Sequence, residues 1–162
     1  MAAEPQILDE LRRLRSRMPQ LGGALAASVD GLVLAHDAPG IEPEGVAALT
    51  AAALGVAVRM ADATGRGDLR ELLVRGVHGY VATYAAGRSA VLTLLAEDRV
   101  NVGRLHLEGR RAGARIGELV DAEIAARAAA AESVAVKPAP LRTRTPRAPR
   151  TAATNARTTT ES

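Results

Sequence analysis

Few residues in this chain could carry chemistry. His36, His78 and His106 are its only imidazoles, and it has no cysteine. Thiolate catalysis, disulfides and cysteine-ligated zinc or iron–sulfur sites are thereby excluded. No histidine stands in a nucleophile or metal-ligand motif. His106-Leu107-Glu108 matches the first half of a zinc-deaminase signature, but that signature needs cysteines. Glu97-Asp98 could form a carboxylate pair, yet an acidic turn at a strand end is the plainer reading. Thr64-Gly65-Arg66-Gly67-Asp68 offers a glycine-rich loop for phosphate. It lacks the third glycine of the dinucleotide fingerprint and the Gly-Lys-Ser/Thr ending of a P-loop, and it follows a helix where a strand is needed. The residues thus name no catalytic, cofactor-binding or metal-binding group. They point to a protein that works by contact and is not an enzyme.

Composition narrows the partners. Of 162 residues, none is Phe or Trp and two are Tyr, at positions 80 and 84. Aromatic platforms for stacking single-stranded bases are almost excluded. A core of Leu, Val and Ala requires its elements to approach closely. The net charge of +3 is unevenly distributed. Residues 133–162 hold Lys137, Arg142, Arg144, Arg147, Arg150 and Arg157 against Glu161 alone, a surplus of five. The other 132 residues carry 15 basic and 17 acidic groups. The high pI therefore belongs to the tail and is poor evidence for a nucleic-acid-binding domain. The start lacks a cationic segment followed by an apolar one. The longest uncharged run, 45–58, is too short for a bilayer. A soluble cytoplasmic protein is expected.

The elements follow from periodicity. Leu8, Leu11, Leu14 and Met18 recur every three or four residues between Arg12, Arg13, Arg15 and Arg17, giving an amphipathic helix over about 5–18. Those arginines read as a solvated face. Ala24 to Val29 and Leu32 to Ala35 flank Asp30-Gly31, the pattern of a hairpin with a type I′ turn and strands at about 23–29 and 32–36. A long Ala-rich helix spans about 44–64. Three short strands follow, at about 68–77, 80–84 and 89–95, as an antiparallel meander. The last helix covers about 101–131, and Gly103, Gly109, Gly113 and Gly117 weaken it, so its first turns could be loop.

The central helix is apolar almost all round. Val46, Leu49, Ala53, Val56 and Met60 define one stripe, while Ala47, Ala51, Leu54, Ala57, Val58 and Ala61 fill other positions. Such a helix needs cover on more than one side. Its own sheet can supply one cover, and a second copy of the helix from another subunit the other. An exposed Ala-rich helix is the alternative.

From Ser133 onward Pro, Ala, Thr and Arg dominate, so 133–162 is expected to be a disordered basic tail behind a domain of residues 1–132. The tail could touch an anionic surface or nucleic acid, or simply solubilise the chain.

The order helix, hairpin, helix, meander, helix and the residues filling it resemble the Roadblock/dynein light chain family. The resemblance rests on Ser28-Val29-Asp30-Gly31-Leu32-Val33-Leu34-Ala35, on the Ala-rich helix ending at Met60-Ala61, on Leu72-Leu73-Val74, Tyr80-Val81 and Ala90 to Ala96, and on Asn101-Val102-Gly103-Arg104-Leu105. It covers about residues 6–125 and leaves the tail unexplained. It implies an α/β sandwich whose five-stranded antiparallel sheet runs in the order 2-1-5-4-3. It also implies pairing of two copies through the third strand and second helix. The expected dimer residues are then Leu49, Ala53, Leu54, Val56, Ala57 and Met60 on the helix, with Leu69, Leu72, Leu73, Val74 and Arg75 at the strand edge. Bacterial members are similar to regulators of small Ras-like GTPases, often encoded beside one together with a sensor kinase-like protein. This implies a homodimeric, non-enzymatic signalling regulator that binds such a GTPase and biases its nucleotide state, with Arg59, Asp62 and Arg66 as contacts. Two alternatives are a nucleic-acid- or chromosome-associated protein acting through the tail, and a scaffold on a sensor kinase complex.

Overall fold

A computed structural model describes residues 2–135. The tail is expected over 133–162, and its residues 136–162 lie outside the described residues. The elements are α1 (Glu4–Arg17), β1 (Leu21–Ser28), β2 (Val33–Asp37), α2 (Pro43–Ala63), β3 (Glu71–Gly76), β4 (Gly79–Ala86), β5 (Ala90–Glu97) and α3 (Val102–Ala135). The strands form one antiparallel sheet in the order β2-β1-β5-β4-β3. The expected α/β sandwich and strand order are present.

The two faces of the sheet are covered unequally. On one face α1 and α3 bury Ile7, Leu11, Leu14, Leu105 and Ile116 against Ala24, Ala26, Tyr84, Leu92 and Leu94. Ile7 joins this core, while Leu8, placed on the stripe by spacing, is only half-buried. On the other face α2 rests on a small cluster of Leu25, Ala27, Ala47 and Val91. Beside that cluster the Thr93 hydroxyl lies 3.3 Å from that of Thr50 and 3.4 Å from that of Thr83, a buried polar chain joining helix to sheet.

Three local expectations are corrected. The first hairpin does not use a type I′ turn, which needs positive φ at both central residues. Gly31 has φ +87°, but no non-glycine residue among those described has positive φ, so Asp30 does not. Instead the Gly31 N–H donates to Ser28 O and the Ser28 N–H to Leu32 O, a longer loop with one left-handed glycine. The third strand starts at Glu71, not Asp68. The last helix is continuous from Val102 and reaches Ala135, three residues past the expected domain boundary. Asn101 caps it, its Oδ1 accepting the Arg104 N–H at 2.9 Å.

The glycines of α3 have a packing reason. A Cβ at Gly109 would fall on the Tyr84 ring, one at Gly113 would press on Ala85 O, and one at Gly117 would meet the Gly87 backbone. The four-residue spacing makes a smooth ridge that lies directly on β4 and the turn after it. The helix tolerates the glycines because close approach to the sheet compensates for their conformational freedom.

Candidate functional site

The unequal layers leave a candidate interaction surface on the α2 side. Small residues let α2 approach β1 and the first hairpin: Ala47 is fully buried, and a Cβ on Gly31 would lie 3.2 Å from the Ala48 Cα. The helix therefore sits over the β2–β1 half of the sheet, where its contacts lie. Of the α2-facing side chains of β3 and β4, Val74, Val81 and Ala85 stay exposed and Leu72 is half-buried, while Thr83 is buried. Between helix and strands runs an apolar groove of about 250 Å³. Val46, Leu49, Thr50 and Ala53 line one wall, and Leu72, Val74, Val81, Thr83 and Leu95 the other.

The outer side of α2 continues this apolar surface. Leu49 is 72% exposed, Met60 63% and Val56 60%. By length and apolarity alone α2 would satisfy the requirement for a membrane-spanning helix. Here it lies along a sheet with one side covered. Among the described residues, β3 is the last strand of the sheet and pairs only with β4. Its outer edge presents backbone donors and acceptors that another strand could meet.

The residues expected to form a dimer contact divide into groups. Leu49, Ala53, Val56 and Met60 are exposed on α2, and Leu72 and Val74 face the groove. Leu54 packs half-buried on the protomer's own small cluster, and Ala57 is buried within the protomer. Strand alternation sends Leu73 to the opposite layer, where it packs on the main core. Arg75 lies over the Tyr80 ring at 5.5 Å. Leu69 precedes the strand and lines a second apolar cavity of about 340 Å³ with Leu54, Val58, Arg70 and Arg88. Arg59 and Asp62 are exposed on the last turns of α2, and Arg66 in the loop after it. No ion pair involves these three among the described residues.

Sequence reasoning missed a polar cluster behind the edge strand. The Glu71 carboxylate accepts from Arg110 Nε at 2.8 Å and from Nη2 at 2.5 Å. His106 Nδ1 lies 3.8 Å from Glu71 and 3.1 Å from the Tyr84 hydroxyl. The hydrogen bonds from Arg110 hold the Glu71 carboxyl below the usual carboxylate range, against an opposing effect of partial burial. Burial, reinforced by the Glu71 charge, pushes the Tyr84 phenol up. Tyr84 therefore stays protonated and can donate to His106. The cluster ties β3 and β4 to α3.

Comparisons with known proteins agree with this architecture. The family model of the Roadblock/LC7 domain matches residues 7–96. MJ1340 of Methanocaldococcus jannaschii is 35% identical over 111 residues, covering 68% of this chain and 96% of its own. MJ0310 of the same organism matches to the same extent. Among solved structures, the gliding protein MglB of Thermus thermophilus superposes with a TM-score of 0.68 at 22% identity, covering 75% of this chain and 93% of that one. A Roadblock/LC7 domain of Streptomyces avermitilis gives 0.65 at 21% identity, covering 70% and 96%. At these identities the superpositions speak for the fold.

Proposed function

The chain belongs to the Roadblock/LC7 domain family, and on that premise we propose that it is a cytoplasmic homodimer that regulates a small Ras-like GTPase by contact. The observation that carries the reading is the juxtaposition of three features on one side of the molecule: the free β3 edge, the apolar groove beside it, and the exposed apolar side of α2. A second copy related by a two-fold axis could add its β3 to this edge and lay its α2 against the groove. Both covers that α2 needs are then supplied, one by its own sheet and one by the partner.

The paired helices would present their remaining sides, with Arg59, Asp62 and Arg66 at the ends, to the GTPase. Such a surface biases nucleotide state only through unequal affinity for the two states. It needs no catalytic group of its own. The test is a pull-down with a small GTPase encoded by a neighbouring gene, loaded in turn with GDP and with a non-hydrolysable GTP analogue. Retention of one form several-fold over the other is expected. Failure to retain either form removes the GTPase from the proposal, while the dimer stands or falls on its own measurement.

A further inference from the structure

The layer opposite α2 carries a different kind of surface. α1 and α3 lie side by side and antiparallel there: Arg17 reaches Glu108 at 3.4 Å near one end, and the Ala3 N–H donates to Glu123 near the other. The outward positions hold Arg12, Arg13 and Arg17 from α1 and Arg104, Arg111 and Arg115 from α3. Two acids lie beneath them. Glu10 has an 8% exposed side chain and is approached by Arg13, Arg17 and Arg115 at 3.7 to 3.8 Å. Glu108 is approached by Arg17 and Arg111. Six guanidiniums against these two carboxylates and the exposed Asp9 and Glu118 on the same two helices leave a surplus of two. Arg104 Nη2 donates to Arg17 O at 2.9 Å, but the ion pairs are long for charge-assisted hydrogen bonds, so the guanidiniums keep donors for other acceptors.

Leu107 decides what those acceptors belong to. It is 47% exposed, and it shares the outer stripe of α3 with Arg104 three residues before it and Arg111 four after. An apolar side chain collared by arginines matches the boundary between lipid headgroups and acyl chains, where guanidiniums meet phosphates and the leucine enters the apolar phase. A nucleic-acid duplex offers the phosphates but no phase for Leu107. Single strands would need aromatic platforms, and neither Tyr lies on this surface. We propose that the α1/α3 face docks on anionic phospholipid bilayers, leaving the α2 face turned to the cytosol for its protein partners.

The test is co-sedimentation of the full chain with phosphatidylglycerol/phosphatidylcholine vesicles. Lys137, Arg142, Arg144, Arg147, Arg150 and Arg157 are changed to Gln, so that the tail does not contribute. This protein is expected to bind anionic vesicles, to release them at high salt, and to ignore pure phosphatidylcholine. Adding Arg12→Gln, Arg13→Gln and Arg111→Gln should weaken binding about a hundredfold, with an unchanged circular dichroism spectrum. Leu107→Ala should weaken it a few-fold and remove the part that survives salt. No binding by the tail-neutralised protein overturns the proposal. So does equal binding by the arginine variant, or arginine-dependent binding of a DNA duplex in place of vesicles.

Discussion

Glu71, the first residue of the edge strand, is clamped by Nε and Nη2 of Arg110, 39 residues away on α3. The strand that borders the proposed interface is thus fixed from the opposite layer. Because Arg110 lowers the carboxyl's pKa in the folded state, Glu71 contributes stability fully above its ordinary value of about 4.3. That contribution is lost as pH falls through the lowered value. Glu71→Gln should lower the melting temperature at pH 7 by roughly 2 °C, because the pair is partly solvated. The variant should lose less on acidification to pH 3 than the parent does. A parallel pH profile for the two proteins would show that the clamp carries no stability.

Assembly is tested at Leu49. In the protomer this side chain is mostly exposed, so Leu49→Asp should leave the fold intact. In a dimer it would place a charge in an apolar contact, costing several kcal/mol. Light scattering should give twice the chain mass for the parent protein and the chain mass for the variant, with the same helical content in both. An unchanged mass for a folded variant would place Leu49 outside the interface.

The glycines should behave oppositely on two helices. A Cβ on Gly55 of α2 would meet nothing within 4 Å, so Gly55→Ala, measured in the Leu49→Asp background, should stabilise by about 0.5 to 1 kcal/mol. Gly117 on α3 abuts the Gly87 backbone, and Gly117→Ala should destabilise by about 1 to 3 kcal/mol despite the better helix former. Urea denaturation distinguishes the signs.

The threonine chain gives a non-additive prediction. Thr93→Val removes the central hydroxyl and strands those of Thr50 and Thr83, which should cost about 1 to 2 kcal/mol. Changing all three to Val should recover much of that loss, because no buried hydroxyl is then left unpaired. Additive losses across the series would show that each hydroxyl has another partner.

Most of the architecture was legible because it is local. The Leu11, Leu14 and Met18 spacing and the alternation in the meander set elements that short-range rules describe, and the family resemblance supplied the strand order. The facing of α2 was less legible. When nearly every position is Ala, Val or Leu, periodicity cannot tell the covered side from the open one, so Leu54 and Ala57 were grouped with Leu49. The clamp between Glu71 and Arg110 left no trace in spacing, since a contact across layers depends on where α3 crosses the sheet. The glycine ridge was visible as a four-residue repeat, but its partner, Tyr84, was not.

The main core lies wholly between α1, α3 and one face of the sheet, while α2 adds only a small cluster on the other. In the proposed dimer, a subunit of this kind would bury most of its core before it meets a partner. It can then trade one mate for another, including a related chain with a similar edge strand, without passing through a denatured state. On that proposal, mixed assemblies with related chains would be open to this architecture.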